Sequence, residues 1–118
     1  MSTCDDGGLI GRLFIDSNNF AELTGLYDPR EPETPAITDA VVELTGVDSC
    51  NDLIAGIIWP LLLTYDETKD RYYTDIASTA LLKENERYKF TFKVEHNNRI
   101  SYYTTYRYAE HRGDLNTS

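Results

Sequence analysis

The chain is poor in the residues from which chemical sites are built. Its 118 residues include two histidines and two cysteines, whereas a zinc site usually takes about four ligands. Cys4 and Cys50 have no CxxC spacing and no histidine nearby. A disulfide between them is possible in principle, but two free thiols are expected of a cytosolic protein. The sequence places no nucleophile or carboxylate beside His96 or His111, so we predict no catalytic histidine and no metal site.

Other signatures are missing too. The sequence has no P-loop, dinucleotide fingerprint or GxSxG motif, and we therefore predict a protein that is not an enzyme and needs no cofactor. No apolar run reaches the roughly 20 residues of a membrane span. The first residues lack the basic and apolar regions of a secretory signal. We expect synthesis in the cytoplasm and no membrane partner.

Basic residues are scarce in the first half of the chain. The net charge is −9. Residues 1–60 carry 11 acidic and two basic residues, whereas residues 61–118 carry nine of each. Nucleic-acid binding needs clustered Lys and Arg, so this distribution argues against it. The acidic half is compatible with solubility or with docking to a basic partner surface.

Apolar residues recur at every second position in several runs between Gly56 and Tyr108. Runs of this period are typical of strands with one buried and one solvated face. An acidic turn at 66–70 joins predicted strands at 61–65 and 71–76, and His96-Asn97-Asn98 joins two longer ones. The inward set of these strands is the predicted core: Trp59, Leu61, Leu63, Tyr72, Ile76, Tyr88, Phe90, Phe92 and Val94.

The connections carry further expectations. Residues 53–58 are predicted as an apolar strand running into Trp59, with a short helix as the alternative. Pro60 cannot donate to a ladder and has to lie at a strand start, an edge or a bulge. In the crossover at 78–86, Leu81 and Leu82 are expected to fill the core and Asn85 to take a left-handed conformation. Shorter strands are predicted at 9–15, 20–27 and 40–45, with a proline-rich loop at 28–35.

About seven to eight short strands without a long helix predict an all-β protein, an antiparallel immunoglobulin-like β-sandwich; a small barrel is the alternative. Tyr88 enters its strand after a crossover, as the tyrosine of a tyrosine corner does. The paired core cysteines of antibody domains are missing. The predicted organisation is an N-terminal arm (1–16), one sandwich domain (17–112) and a C-terminal tail (113–118).

Five short segments, in this order, resemble a group of small tailed-phage and prophage proteins with immunoglobulin-like folds. They are Thr38-Asp39-Ala40-Val41-Val42, Gly56 to Leu63 with its Trp-Pro pair, Arg71-Tyr72-Tyr73, Leu82 to Tyr88, and a last strand ending near Arg112. The resemblance covers roughly residues 23–112. Asp70 and Asn85 stand where that group has glycines, and both residue types tolerate turn conformations.

The resemblance implies a non-enzymatic virion structural protein that is made in the host cytoplasm. Its role would be capsid decoration (cement) or a head–tail neck accessory, and it would act by protein–protein adhesion. Its partners would be capsid, portal or tail proteins and copies of itself in a symmetric assembly. A host-facing module of a tail or fibre, recognising carbohydrate or protein, is the alternative.

Two sets of residues are candidate interface residues. The apolar arm segment would add to a neighbouring subunit's sheet, since alone it is an unpaired edge. On the last strand, Tyr102, Tyr106 and Tyr108 share one face, and Tyr103 and Arg107 lie on the other. If the three tyrosines face the core, Tyr103 and Arg107 are exposed, and an aromatic residue with an arginine is typical of an interface hot spot. A tyrosine-decorated strand without binding function is equally compatible. The candidates are Leu9, Ile10, Leu13, Phe14, Ile15, Tyr103 and Arg107.

Asp66, Glu67 and Asp70 could ligate calcium, although a solvated turn is the stronger expectation.

Overall fold

The computed structural model describes residues 8–26 and 37–111. Within these residues all regular secondary structure is β-strand. Among them, no helix has the length and apolar character to cross a membrane. The predicted Asp28–Pro35 loop, Cys4 and the 113–118 tail lie outside the described residues. The strands are β1 (Gly8–Ile10), β2 (Leu13–Phe14), β3 (Asn19–Thr24), β4 (Val41–Val47), β5 (Leu61–Leu62), β6 (Thr64–Asp66), β7 (Arg71–Ile76), β8 (Arg87–His96) and β9 (Arg99–Glu110).

The strands form two sheets. The four-stranded sheet has the order β1-β3-β7-β6, and the five-stranded sheet has the order β2-β9-β8-β4-β5. All neighbouring pairs are antiparallel except β2 and β9, which are parallel. Inward residues of both sheets belong to one buried cluster, which is the arrangement of a β-sandwich. The all-β prediction is confirmed.

The predicted core is largely confirmed. Seven of the nine residues are at most 7% exposed, while Trp59 and Leu61 are partly buried and pack against the cluster. In β8 the burial alternates strictly, with Tyr88, Phe90, Phe92 and Val94 inside. This period follows from the pleat, which sends successive side chains to opposite faces. The cluster also includes Leu13, Ala21, Leu23, Val42, Leu44, Ile54, Ala80 and Ala109.

The turn between β8 and β9 is tighter than the three-residue signal suggests. Asn97 and Asn98 are its two central residues, with φ of 52° and 63°, and His96 pairs with Arg99. Positive φ at both central positions is the pattern of a type I′ turn, whose twist matches a hairpin. Asparagine tolerates this conformation better than most residues.

The predicted single strand at 61–65 is wrong. Residues Leu61–Leu62 pair with β4, whereas Thr64–Asp66 pair with β7 in the other sheet. The chain changes sheets at Leu63, whose side chain is buried and whose amide donates to the Val42 carbonyl (2.9 Å). Pro60 directly precedes β5, an edge strand, as its missing N–H requires.

Residues 53–58 form neither the predicted strand nor a helix. A single bridge joins Leu53 to Val47, and turns follow. Gly56 has a φ of 92°, and a side chain there would collide with the Thr79 carbonyl oxygen. The segment is held by the Trp59 indole, which donates to the Ile54 carbonyl at 2.8 Å. Close backbone approach and a left-handed glycine therefore override the apolar composition.

Of the two leucines expected to fill the core from the crossover, one does so and the other does not. Ala80 is buried and Leu82 packs against the core, but Leu81 is 68% exposed. Asn85 has the predicted left-handed conformation, with φ of 68°. The Tyr88 hydroxyl accepts a hydrogen bond from the Lys83 amide at 2.7 Å. This bond ties the crossover to the start of β8.

The apolar segment at 9–15 pairs with this chain's own sheets, unlike a separate arm; of the arm predicted over 1–16, residues 1–7 lie outside the described residues. β1 pairs with β3 in one sheet, and β2 pairs with β9 in the other. The Leu13 side chain has no exposed area, and Ile15 packs against the core. The segment crosses from sheet to sheet, and each of its two strands pairs with a strand of its own chain.

Candidate functional site

The outward side of the five-stranded sheet is the most distinctive surface of the described structure. Tyr102, Tyr106 and Tyr108 of β9 all point outward and are 48–64% exposed. The register places Lys93 beside Tyr102, Lys89 beside Tyr106 and Arg87 beside Tyr108. We call this surface the tyrosine face and define it by the outward residues of β4, β5, β8 and β9: Val41, Glu43, Thr45, Val47, Leu62, Arg87, Lys89, Thr91, Lys93, Glu95, Ile100, Tyr102, Thr104, Tyr106 and Tyr108.

Apolar exposure is concentrated on this face. Of the ten exposed large hydrophobic residues in the described part of the chain, six belong to it, including Leu62 at 66% and Ile100 at 50%. Scattered apolar residues are normal on a protein surface, whereas contiguous ones mark interaction sites. Tyrosine adds a large rigid ring with a polar end, a combination that is enriched at protein interfaces.

The tyrosine face also carries cations without carboxylate partners. Among residues 8–26 and 37–111, Arg87, Lys89 and Lys93 form none of the ion pairs, which belong to Arg12, Arg71 and His96. The Arg87 guanidinium instead lies 4.8 Å from the Tyr106 ring centroid. Glu43 and Glu95 are the acidic residues of the face, so its charge balance is slightly positive in a protein of charge −9.

A small pocket of about 80 Å³ opens at one end of the tyrosine face. Arg87, Lys89 and Tyr106 line its sheet side, and the loop after β4 supplies Asp48, Ser49 and Asn51. The loop is ordered by its own hydrogen bonds: Asp48 Oδ1 accepts from the amides of Cys50 (2.8 Å) and Asp52 (3.0 Å). Ser49 Oγ donates to Glu86 at 2.9 Å. The Cys50 thiol is free and exposed.

The outward orientation predicted for Tyr103 and Arg107 is wrong. Tyr103 pairs with the buried Phe92 and packs against the core, because directly opposed residues of an antiparallel pair share one face. Arg107 lies in the same set, and its guanidinium donates to the Tyr106 carbonyl. The three tyrosines that the prediction turned inward, Tyr102, Tyr106 and Tyr108, are exposed instead. No contact with another molecule tests either set.

The N-terminal candidates are distributed differently. Leu13 is enclosed in the core, and the β1 residues Leu9 and Ile10 pair through their backbones with β3. Phe14 is partly buried, and its amide donates to Asn19 Oδ1 at 2.8 Å. Leu13 cannot contact another subunit in this fold. An interface role for the others stays a prediction.

The outward side of the four-stranded sheet is organised around one arginine. Arg71 pairs with Glu22 at 3.0 Å and with Asp66 at 3.3 Å. Its guanidinium also lies 5.0 Å from the Phe20 ring and 5.4 Å from the Tyr73 ring, and the two rings stack. The charges of Arg71, Glu22 and Asp66 therefore satisfy one another within the chain.

The acidic turn between β6 and β7 is also internally bonded. Asp66 Oδ1 accepts from the Thr68 amide at 3.1 Å, and Asp70 Oδ1 accepts from the Tyr65 hydroxyl at 2.8 Å. That hydrogen bond raises the pKa of Tyr65 to about 12. Within the described residues, no group of three or more His, Cys, Asp or Glu is placed to hold a metal ion. Calcium binding by Asp66, Glu67 and Asp70, the weaker alternative to a solvated turn, has no support in this geometry.

Comparisons with protein-family models, curated proteins and solved structures gave no match to this chain. The tyrosine face and its pocket are therefore interpreted from their own geometry.

Proposed function

We propose that the sandwich is immunoglobulin-like. With β1 to β9 lettered A, A′, B, C, C′, D, E, F and G, the sheets have the orders ABED and A′GFCC′. The ABED sheet packed on a sheet containing G, F and C is the immunoglobulin arrangement. The hydrogen bond from the Lys83 amide to Tyr88, the first inward residue of strand F, supports a tyrosine corner.

We propose further that the protein is a non-enzymatic structural component of a tailed-phage virion and works by adhesion. The observation that carries the adhesive part is the tyrosine face, where exposed aromatic and aliphatic side chains alternate with cations that have no carboxylate partner among the described residues. Aromatic residues and arginine are enriched at protein interfaces and dominate their energetics. The partner would be a capsid, portal or tail protein, with other copies of the chain beside it.

The phage part of the proposal rests on the five resembling segments. Several of them contact one another in the fold, which supports treating them as one pattern. The Tyr72 hydroxyl donates to the Ile37 carbonyl (2.8 Å) and accepts from the Ala40 amide (3.1 Å). This links the Arg-Tyr-Tyr segment to the Thr-Asp-Ala segment. The Leu82–Tyr88 segment is closed by the Lys83 to Tyr88 bond.

A host-facing binding module on a tail or fibre is the second candidate. The tyrosine face serves it equally well, because an exposed aromatic surface can recognise carbohydrate or protein. Sedimentation separates the two: a decoration protein is expected to be monomeric alone, whereas a fibre module is expected to form trimers by itself.

The virion assignment is tested by a salt wash of purified particles of the phage that encodes the chain, followed by gel analysis. The protein should be present in particles and be released increasingly as ionic strength rises, since exposed charge contacts are screened. Full retention at molar salt would contradict the electrostatic contribution and favour apolar attachment. Absence from particles would overturn the virion assignment.

A further inference from the structure

We propose that the pocket at the end of the tyrosine face binds an oxyanion, a carboxylate or phosphate group, and so provides the charged anchor of the adhesion surface. The inference rests on the proposed function for its biological role. The anion site itself is argued from the geometry of the pocket.

The pocket places two cations and several polar groups around one space. Arg87 and Lys89 are two residues apart on β8 and point to the same side, and Tyr106 lies directly opposite Lys89 on β9. Ser49 and Asn51 close the other side. Guanidinium and ammonium groups are the side chains that bind carboxylates and phosphates best, arginine through its planar fork.

The two carboxylates at the pocket, Asp48 and Glu86, are bonded to the loop and not to the cations. Asp48 lines the pocket, but its Oδ1 already accepts from two backbone amides of its own loop. Within the described residues neither Arg87 nor Lys89 comes within ion-pair distance of a carboxylate. Glu86, beside the pocket, accepts from the amide (3.3 Å) and the Oγ (2.9 Å) of Ser49. Asp48 and Glu86 balance the two cations in formal charge, but both carboxylates are hydrogen-bonded to the loop and neither cation is paired with a carboxylate of the described residues, so Arg87 and Lys89 remain free to bind an incoming anion.

The size of the pocket limits what it can hold. At about 80 Å³ it has room for several water molecules, since one water needs roughly 10–15 Å³ by the same measure. It is well below the roughly 300–1,000 Å³ of sites that enclose drug-sized ligands. A single carboxylate or phosphate group at the end of a larger partner fits this volume.

The test is a titration of the purified full-length protein with acetate and, separately, with inorganic phosphate, at constant ionic strength, followed by backbone amide NMR. We expect saturable shifts confined to the amides of Ser49, Asn51, Arg87 and Lys89. Arg87→Gln and Lys89→Gln should each weaken binding about fivefold or more. Lys93→Gln removes a cation of the same face outside the pocket and should change it less than about twofold.

Either anion saturating the pocket supports the proposal. The tighter of the two identifies the source, an acidic side chain of a partner or a phosphate group. Shifts that do not saturate would overturn the proposal, because they would indicate non-specific screening of surface charge. An equal loss of binding in Lys93→Gln and Arg87→Gln would overturn it for the same reason. No partner is needed for this measurement, so its failure is distinct from failure of the virion assignment. If the protein binds the anion but is absent from particles, the anion site is supported and the proposed function is contradicted.

Discussion

The two outward faces of the sandwich use similar residues in opposite ways. On the four-stranded sheet, Arg71 contacts two carboxylates and two aromatic rings of its own chain. On the five-stranded sheet, Lys89 and Lys93 alternate with exposed tyrosines, and among the described residues they have no carboxylate partner. An aromatic and cationic composition alone therefore does not identify a binding surface. What distinguishes the two faces is whether their cations are already paired with carboxylates of the same chain.

This difference has an energetic meaning. Groups that satisfy one another within the chain stabilise the fold and offer little to a partner, because a partner would have to displace existing contacts. Groups that face only solvent contribute little to stability and can form new contacts at lower cost. The four-stranded face should therefore respond to mutation in stability, and the tyrosine face in binding.

The largest expected effect lies in the core beneath both faces. Phe92 is fully buried, and Phe92→Ala should lower the free energy of unfolding by about 3–5 kcal/mol through cavity formation. Its neighbour Thr91 points to the tyrosine face, and Thr91→Ala should change stability by no more than about 0.5 kcal/mol. Urea denaturation of both variants measures this. Equal effects would mean that the register of β8 is shifted by one residue.

The next effect concerns tyrosines inside and outside the fold. Tyr72→Phe removes a hydroxyl that donates to the Ile37 carbonyl and accepts from the Ala40 amide. We expect a loss of about 1–3 kcal/mol, because buried backbone groups are left without their partner. Tyr108→Phe on the tyrosine face should be neutral within about 0.5 kcal/mol. Thermal unfolding of the two variants measures the difference. No loss of stability in Tyr72→Phe would contradict the claim that the Tyr72 hydroxyl holds the segment before β4.

A smaller difference should separate one cation from each face. Arg71→Gln removes two ion pairs and two ring contacts and should lower the melting temperature. Lys93→Gln removes a charge that has no carboxylate partner among the described residues and should leave the melting temperature unchanged. Both variants are measured at low and high salt, since screening should shrink the Arg71 effect. Equal melting temperatures would remove the distinction between the faces.

The smallest effect is a pH dependence of the four-stranded sheet. The hydrogen bond to Asp70 raises the pKa of Tyr65 from its ordinary value of 10.0 to about 12. The folded state then holds the proton more tightly than the unfolded state, so this contribution is complete below pH 10 and is lost as pH rises through about 12. Tyr65→Phe should flatten that decline in urea denaturation. A Tyr65 titration near 10 by ring NMR would contradict it.

The sequence predicts the interior of this fold better than its connections and faces. Alternation identifies the core of β8 because each inward residue is large and each outward one polar. In β9 both alternate sets contain tyrosine, so alternation does not choose between them. The turn does: with Asn97 and Asn98 as its two central residues, the hairpin pairs Phe92 with Tyr103 and turns Tyr102 outward. With His96 also in the turn, Glu95 would pair with Arg99 and Phe92 with Tyr102, which would turn Tyr102 inward.

Other features depend on contacts that are distant in sequence. From the sequence, the apolar segment that contains Leu13 is as compatible with an external arm as with a strand of the sandwich. Only the pairing of β2 with β9, about 95 residues further along the chain, shows that it belongs to the sandwich. The change of sheet at Leu63 and the packing of Gly56 against Thr79 are likewise tertiary. The pocket joins the loop after β4 to β8 and β9, and no spacing within one segment indicates it.

The central claim is that the tyrosine face, and not the opposite face, attaches the protein to its particle. The direct measurement adds purified variants back to particles that lack the protein and quantifies what stays bound. Tyr102→Ser combined with Tyr108→Ser should abolish retention without changing the melting temperature, because both side chains are more than 60% exposed. Phe20→Ser, which removes an exposed ring from the other face, should be retained like the unaltered protein. Retention of the double variant together with loss of Phe20→Ser would contradict the account.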